Sequence, residues 1–487
     1  MKKTLLVLLL VTLIFGSVFA EELYSRENVN TVWLDSIQNG EYIYVANLVS
    51  KSENEITVLI DIFKNGEYIS SYDITPEQYQ NSGIYESYVF ADTLKFAIID
   101  SKSVGFCFIH ISEDFDNQDE GGYFSFFKIE NEEIKYFSSM NFSKKDFSDF
   151  EDFYFTYNPS TDKFYLTSYR KKNWDLYRGD IVLFEFDSDF NITNAKCFYS
   201  EYGDYPRNIF AIDENIYLVC DFGKLDFNND MVIVLDSNLN IIKKYKIENF
   251  KGKAICDGKN IFAVSGDSEY IAISCYDFDF NEQWQNLWDV SDLANVEIFG
   301  LCDNGDKIGF QFLEVNEKYQ KTKYCLFSKD GSSTDFYESG FFYYPRFYFL
   351  KDELFVTNKH FSNFNLKNVW YLKQTSFVGK KSLDEMSKLP IEIYERKPFE
   401  IEEPYNPSTE SYVKFKEFKE QMKQLYDSVK IGITVSTTDF EVLSEKLNCK
   451  TEDCSLSIEK KNFPYIKTSP YTNEFLETIP AFKASLR

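Results

Sequence analysis

Histidine is almost absent from this chain: His110 and His360 are the only two in 487 residues. A histidine-rich metal centre is therefore excluded, and a catalytic triad built on an imidazole has two candidates. His110, in F-C-F-I-H-I, reads as a strand residue and His360 as a loop residue. No G-x-S-x-G, H-E-x-x-H or phosphate-cradling glycine loop occurs. Positive charge is scarce too, with 52 Lys and Arg against 78 Asp and Glu and a formal charge of −26. Nucleic acid and anionic membrane surfaces are poor partners for such a chain, because binding them depends on Lys and Arg displacing counterions. Only Arg26, Arg170, Arg178, Arg207, Arg346, Arg396 and Arg487 can make a planar two-pronged contact with a carboxylate or phosphate.

Long apolar runs are missing as well, apart from residues 5–15. That run follows Lys2-Lys3 and precedes Ser17-Val18-Phe19-Ala20, the pattern of a leader cut after Ala20. It falls short of the roughly 20 apolar residues that a membrane-spanning helix needs. Residues 1–20 are thus expected to be a signal peptide, and the mature protein to be exported, periplasmic or extracellular, with no membrane span. Of the nine cysteines, Cys107, Cys220, Cys275 and Cys325 sit in apolar runs and read as small buried hydrophobes. Cys256 and Cys302 occupy matching places before a turn. Cys449 and Cys454, in a short polar passage, are the pair expected to form a local disulfide.

What the chain does have is a recurring pair of turns. The first is followed by a run of alternating large apolar residues: Asn39-Gly40, Asp92-Thr93, Thr161-Asp162, Asp213-Glu214, Asp257-Gly258, Asn304-Gly305 and Lys351-Asp352. The last four lie about 45 residues apart, the period of propeller blades. The second turn falls between the third and fourth strand of most copies: residues 64–66, 130–132, 187–191, 236–240, 277–281 and 328–331. Two periodicities in one phase describe a four-stranded antiparallel unit. One such sheet cannot cover both its faces, and radial packing buries them while shielding the edges. The expectation is an all-β fold, a seven-bladed β-propeller over residues 21–380, with two stacked sandwiches as the competing arrangement. The hairpins Y-D-F-D-F-N-E-Q-W and V-L-D-S-N-L-N-I-I resemble the outer hairpins of quinoprotein-like and WD40-like propellers. That resemblance implies fold and no cofactor, because the Trp-docking motif of the quinone enzymes and the Gly-His and Trp-Asp signatures are missing.

Residues 381–410 read as an acidic, proline-bearing linker, and 411–487 as a helical and extended segment. Tyr412, Phe415, Phe418, Met422, Leu425 and Val429 form the stripe of a helix from Thr409 to Lys430, expected to pack on the propeller's side. After a strand at I-T-V-S, Thr438-Asp439-Phe440-Glu441 reads as a capping box opening a second short helix.

Asp187 to Asn191 and Asp277 to Asn281 begin like calcium loops, but lack the sixth-position Gly and twelfth-position Glu, and read as hairpin turns. The informative echo is Tyr205-Pro206-Arg207 and Tyr344-Pro345-Arg346, each just before the first strand of a copy. Lys253 and Glu297 hold comparable places, as does Glu151 or Asp152. First strands line the channel of a propeller, so Tyr205, Arg207, Lys253, Glu297, Tyr344 and Arg346 are expected at one mouth. The alternative is that each arginine pairs with a carboxylate of a neighbouring blade. The expected function is non-catalytic: a binding or scaffold propeller for a protein or an acidic or sugar-like ligand, without cofactor, metal or nucleic acid. A carboxylate-based polysaccharide hydrolase or lyase, using Glu297 with Glu151 or Asp152, and a cell-envelope assembly factor are the alternatives.

Overall fold

The computed structural model describes residues 22–25, 30–52, 55–76, 94–111, 121–143, 153–171, 179–200, 204–222, 229–248, 253–266, 270–293, 295–315, 320–339, 346–350, 353–366, 369–382, 386–389, 391, 409–428, 434–438, 440–449, 451–452, 456–462 and 466–468. The strands fall into seven sheets, all built of antiparallel neighbours. Six are built on four consecutive strands, spanning residues 30–76, 94–143, 154–199, 204–248, 254–289 and 295–339, here called the first to the sixth sheet. The seventh, the closing sheet, is composite: Arg346–Leu350, Glu353–Leu366 and Val369–Ser382 are joined by Glu22–Ser25 from the other end of the chain. The innermost strands of successive sheets lie side by side, and Asn30–Asn39 of the first sheet meets Arg346–Leu350 of the closing one. The molecule is an all-β propeller. The strand from the other end of the chain completes the closing sheet: Leu23 faces Gly379 and Tyr24 faces Val378.

Apolar clusters join each sheet to the next. Phe126 of the second sheet, Phe155, Phe164 and Phe186 of the third and Phe190 of a turn form one of them, with all five rings buried. Gly105 is required there, because a Cβ on it would come within 2.7 Å of the Phe164 ring. The turns Asp187 to Asn191, Asp236 to Asn240 and Asp277 to Asn281 share one construction. The leading carboxylate accepts the backbone N–H groups two and four residues on, at 2.8 to 3.0 Å. The fourth residue takes a left-handed backbone, with φ 61° at Phe190, 59° at Leu239 and 57° at Phe280. That conformation costs about 1 to 2 kcal/mol for a side-chain-bearing residue, and burying a Leu or Phe returns roughly 2 to 3 kcal/mol. Burial wins, since these three side chains plug the gap to the preceding sheet. Side chains of the preceding sheet then donate to carbonyls of the turn: Ser138 Oγ to Phe190 at 3.0 Å, Lys196 Nζ to Leu239 at 3.1 Å and Tyr217 Oη to Phe278 at 2.9 Å.

The tail departs most from the sequence reading. Its strands pair with the outer strands of the sheets, one sheet at a time and in reverse order. Ser387–Lys388, inside the stretch expected to be a linker, lies on the sixth sheet. Thr434–Thr437 lies on the fourth, Leu443–Lys446 on the third, Thr451–Glu452 on the second, Leu456–Lys461 on the first and Ile466–Thr468 on the closing sheet. The tail is a belt around the rim. Thr409–Ser428 is the single helix among the described residues. Within it Val413 is 50% and Phe418 51% exposed, while Tyr412, Phe415 and Met422 of the expected stripe are half-buried. The expected second helix is not formed: Thr438 Oγ1 accepts the Phe440 N–H at 3.2 Å in a local turn, and Leu443–Lys446 is a strand. Backbone pairing to the third sheet overrides the capping box there.

Two further readings need correction. The run L-K-F-A-I-I, taken as the strand after an inner turn at Asp92-Thr93, is itself the innermost strand, Leu94–Asp100, and the turn follows it at residues 101–102. His360 lies in the strand Glu353–Leu366 rather than in a loop, opposite Thr375.

Candidate functional site

Four innermost strands in succession carry the predicted residues at their leading ends. In the fourth sheet, Asp204–Ile212 includes Tyr205 and Arg207. Pro206 has no N–H to offer its neighbour, and the ladder slips here: Pro206 faces Cys220 and Asn208 faces Val219, leaving Arg207 as the extra residue of a bulge. A bulge re-aims a side chain, and the Arg207 side chain is 46% exposed, with its Nη2 donating to Asp221 Oδ2 at 2.6 Å. Burial disfavours the guanidinium charge, but the Asp221 hydrogen bond and charge, with Asp230 behind them, outweigh it and hold its pKa above the ordinary value. The partner is therefore a carboxylate of the next strand in the same sheet, not of a neighbouring one.

Around this pair the sheet is held tightly. Tyr205 is half-buried and meets the Tyr169 ring of the third sheet edge-on at 5.2 Å, so it ties two sheets together. Asp204 is fully buried and accepts the Ser200 N–H at 2.5 Å and its hydroxyl at 2.6 Å. Asp221 and Asp230 follow from strand pairing, because Cys220 faces Met231 and places both carboxylates at the same end of the fourth sheet. Asp204, Asp221 and Tyr169 carry no motif in the sequence, and Asp230, which the sequence suggests ends a solvated acidic loop, is buried in the strand Asn229–Leu235. The signal that could have found Asp221 is the run V-C-D-F, which ends the strand next to Arg207 on an acid.

In the fifth sheet, Lys253 is half-buried just before Ala254–Cys256, and its carbonyl accepts the Val264 N–H at 3.0 Å. Glu297 lies in Asn295–Asp303 of the sixth sheet, opposite Leu313, and Arg346 opens Arg346–Leu350 of the closing sheet, opposite Thr357. The backbone thus brings Arg207, Lys253, Glu297 and Arg346 to one end of the ring. The side chains of Glu297 and Arg346 lie outside the described residues, as do Tyr344, Glu151 and Asp152.

The buried cysteines are chemically quiet. Burial pushes the Cys256 thiol up to about 11 and the Cys275 thiol up to about 12, so neither is a thiolate near neutral pH. Cys449 is half-buried against the phenylalanine cluster of the second and third sheets, and its expected partner Cys454 lies outside the described residues. Among the described residues no group of three or more His, Cys, Asp or Glu is arranged to hold a metal ion.

No protein-family model matches the chain. None of the curated proteins matches it either. Solved structures do. The β-propeller domain of the Trilobed protease from Pyrococcus furiosus is 11% identical, with 67% of this chain and 91% of that one covered and a TM-score of 0.40. An acylaminoacyl peptidase from Pyrococcus horikoshii is 11% identical over 70% of this chain and 57% of that one, TM-score 0.36. The polysaccharide lyase Uly1 is 9% identical over 72% of this chain and 90% of that one, TM-score 0.36. Likenesses this distant concern the β-propeller fold alone.

Proposed function

We propose that the protein is an exported, non-catalytic binding propeller. Its ring is read as seven-bladed, the composite sheet being the closing blade, and its ligand is a protein or an acidic or sugar-like molecule received at the channel mouth. The observation that carries this reading is Arg207: placed in a bulge, clamped by Asp221 and still nearly half exposed, it is a pre-oriented cation on a rigid strand end. Lys253 and Arg346 stand at the same end of nearby strands and add charge of the same sign. The pairing of the tail with six sheets supports a structural use of the tail over the docking role that an assembly factor would give it.

The test is titration calorimetry with an acidic oligosaccharide, oligogalacturonate, against a neutral one. Binding of the acidic sugar alone is expected, weakened roughly tenfold in Arg207→Ala, the size of one charge-assisted hydrogen bond. Asp221→Asn removes the clamp that pre-orients the guanidinium and should weaken it by less than Arg207→Ala does. Equal behaviour of wild type and both variants would remove Arg207 from the site.

A further inference from the structure

The bulge that carries Arg207 has a twin in the first sheet. There the ladder passes from Trp33 facing Asn47 to Asp35 facing Ala46, leaving Leu34 as the extra residue. In both sheets the residue just after the extra one is a short polar side chain that reaches the innermost strand of the next sheet. Asp35 Oδ2 accepts the Phe96 N–H at 3.3 Å, and Asn208 Nδ2 donates to the Ala254 carbonyl at 3.0 Å. The brace is therefore a device of the ring, but what it holds differs. Leu34 is fully buried in the apolar cluster shared by the first and second sheets, whereas the Arg207 side chain is 46% exposed. Packing asks for no cation in such a bulge, since a leucine occupies its twin.

Asn208 is also fixed at both ends of its amide. Its Oδ1 accepts the Ile209 N–H at 2.8 Å while Nδ2 donates to Ala254, so only one orientation of the group satisfies both bonds. On the other side of Arg207, Tyr205 meets the Tyr169 ring. The backbone on either side of the arginine is thus tied to a neighbouring sheet, to the third through Tyr205 and to the fifth through Asn208. The echo Tyr344-Pro345-Arg346 lacks this device. Arg346 opens a strand whose ladder runs without a shift, and the next residue is Phe347, buried in an apolar cluster.

Resting on the reading of Arg207 as the cation that receives an acidic ligand, we infer that Asn208 is its positioning residue. Asn208 pins the bulge against the fifth sheet, so the guanidinium stands at one place on the rim before the ligand arrives, and less ordering is left for binding to accomplish. Asp221 fixes the head of the arginine side chain and Asn208 fixes its base. A carboxylate-bearing sugar then meets a cation held at both ends.

The experiment is a double-mutant cycle on the full chain, read by titration calorimetry with oligogalacturonate. Asn208→Ala should weaken binding about threefold to tenfold where Arg207 is present, and should change it by less than about twofold where Arg207→Ala has already removed the cation. A merely structural role would weaken both backgrounds alike. Asn208→Ser, too short to span to Ala254, should reproduce the result, so the test survives a poorly folding alanine variant. Asp35→Ala breaks the twin brace and should lower the melting temperature while changing the affinity by less than about twofold. Three results overturn the inference: equal losses in the two backgrounds, no loss in either, or a loss in Asp35→Ala as large as in Asn208→Ala. Each of these leaves Arg207 in the site provided that Arg207→Ala alone weakens binding. If it does not, the reading of the mouth fails and this inference falls with it.

Discussion

The ring and the belt are both β-structure, yet they are held by different forces. In the ring the third sheet's middle strand Gly179–Phe186 is buried along its whole length, and aromatic and aliphatic clusters cross from sheet to sheet. In the belt, Leu443–Lys446 is exposed at every residue and is held by four backbone pairings with Lys196 to Tyr199. Area removed from water stabilises the first. Short ladders and a few ion pairs stabilise the second. The ring should therefore be the cooperative unit, and the belt an addition to it that opens locally.

Damage to an interface between sheets should have the largest effect. Phe164→Ala empties the centre of the phenylalanine cluster and is expected to lower stability by about 3 to 5 kcal/mol in urea unfolding. Gly105→Val would force a methyl group against that same ring, for about 1 to 3 kcal/mol. An equal, small effect of both would mean that this interface is loosely packed and would blur the contrast with the belt.

Next comes the strongest clip of the belt. Lys461→Met leaves the buried Asp73 carboxylate without its ammonium partner. A loss of about 1 to 3 kcal/mol is expected. Exchange should accelerate in Leu456–Lys461 while the middle strands of the first sheet keep their protection.

Acid should erode the turns before the cores. Asp236 is held below the ordinary carboxylate range by the Asn240 N–H, and Asp277 by the side chain and N–H of Asn281, which outweigh its burial. Asp330 is pulled down to about 2 by hydrogen bonds with Ser328 and Ser332. A depressed folded pKa gives stability that is complete above the unfolded value, 3.8, and is lost as pH falls through the folded value. Melting temperature should thus fall between about pH 4 and pH 2, and Asp236→Asn with Asp277→Asn should flatten part of that fall.

The smallest effect belongs to the helix. Lys414→Ala removes an exposed ion pair with Glu410 on the same face and should cost about 0.3 to 0.5 kcal/mol or less. Phe418→Ser should leave the melting curve of the ring unchanged, since that ring is half in water already.

The repeat was legible because its turns are written in residue types with few other uses: Asn39-Gly40 and Asn304-Gly305 need left-handed backbone, and Asp187, Asp236 and Asp277 cap their own turns. The second copy was shifted because Asp92-Thr93 resembles such a turn while the true one, Ser101-Lys102, does not. The belt was illegible for a physical reason. Strands such as Thr451–Glu452 and Leu443–Lys446 have no apolar alternation, since what holds them is a neighbour's backbone rather than a buried face. The helix stripe was visible in Tyr412, Phe415 and Met422, but periodicity does not say whether a partner is present. At the mouth, Arg207 could be located from Tyr205-Pro206-Arg207. Its Asp221 clamp could not, because pairing register is set by the bulge.

Native-state hydrogen exchange of the full chain, resolved to peptides, sets ring against belt in one measurement. Amides of Gly179–Phe186 and Asn229–Leu235 should exchange only with global unfolding, while those of Thr434–Thr437, Leu443–Lys446 and Leu456–Lys461 exchange earlier through local opening. Tail amides as slow as the middle strands of the sheets, losing protection with them in a single step, would contradict a self-supporting ring with a clipped-on belt.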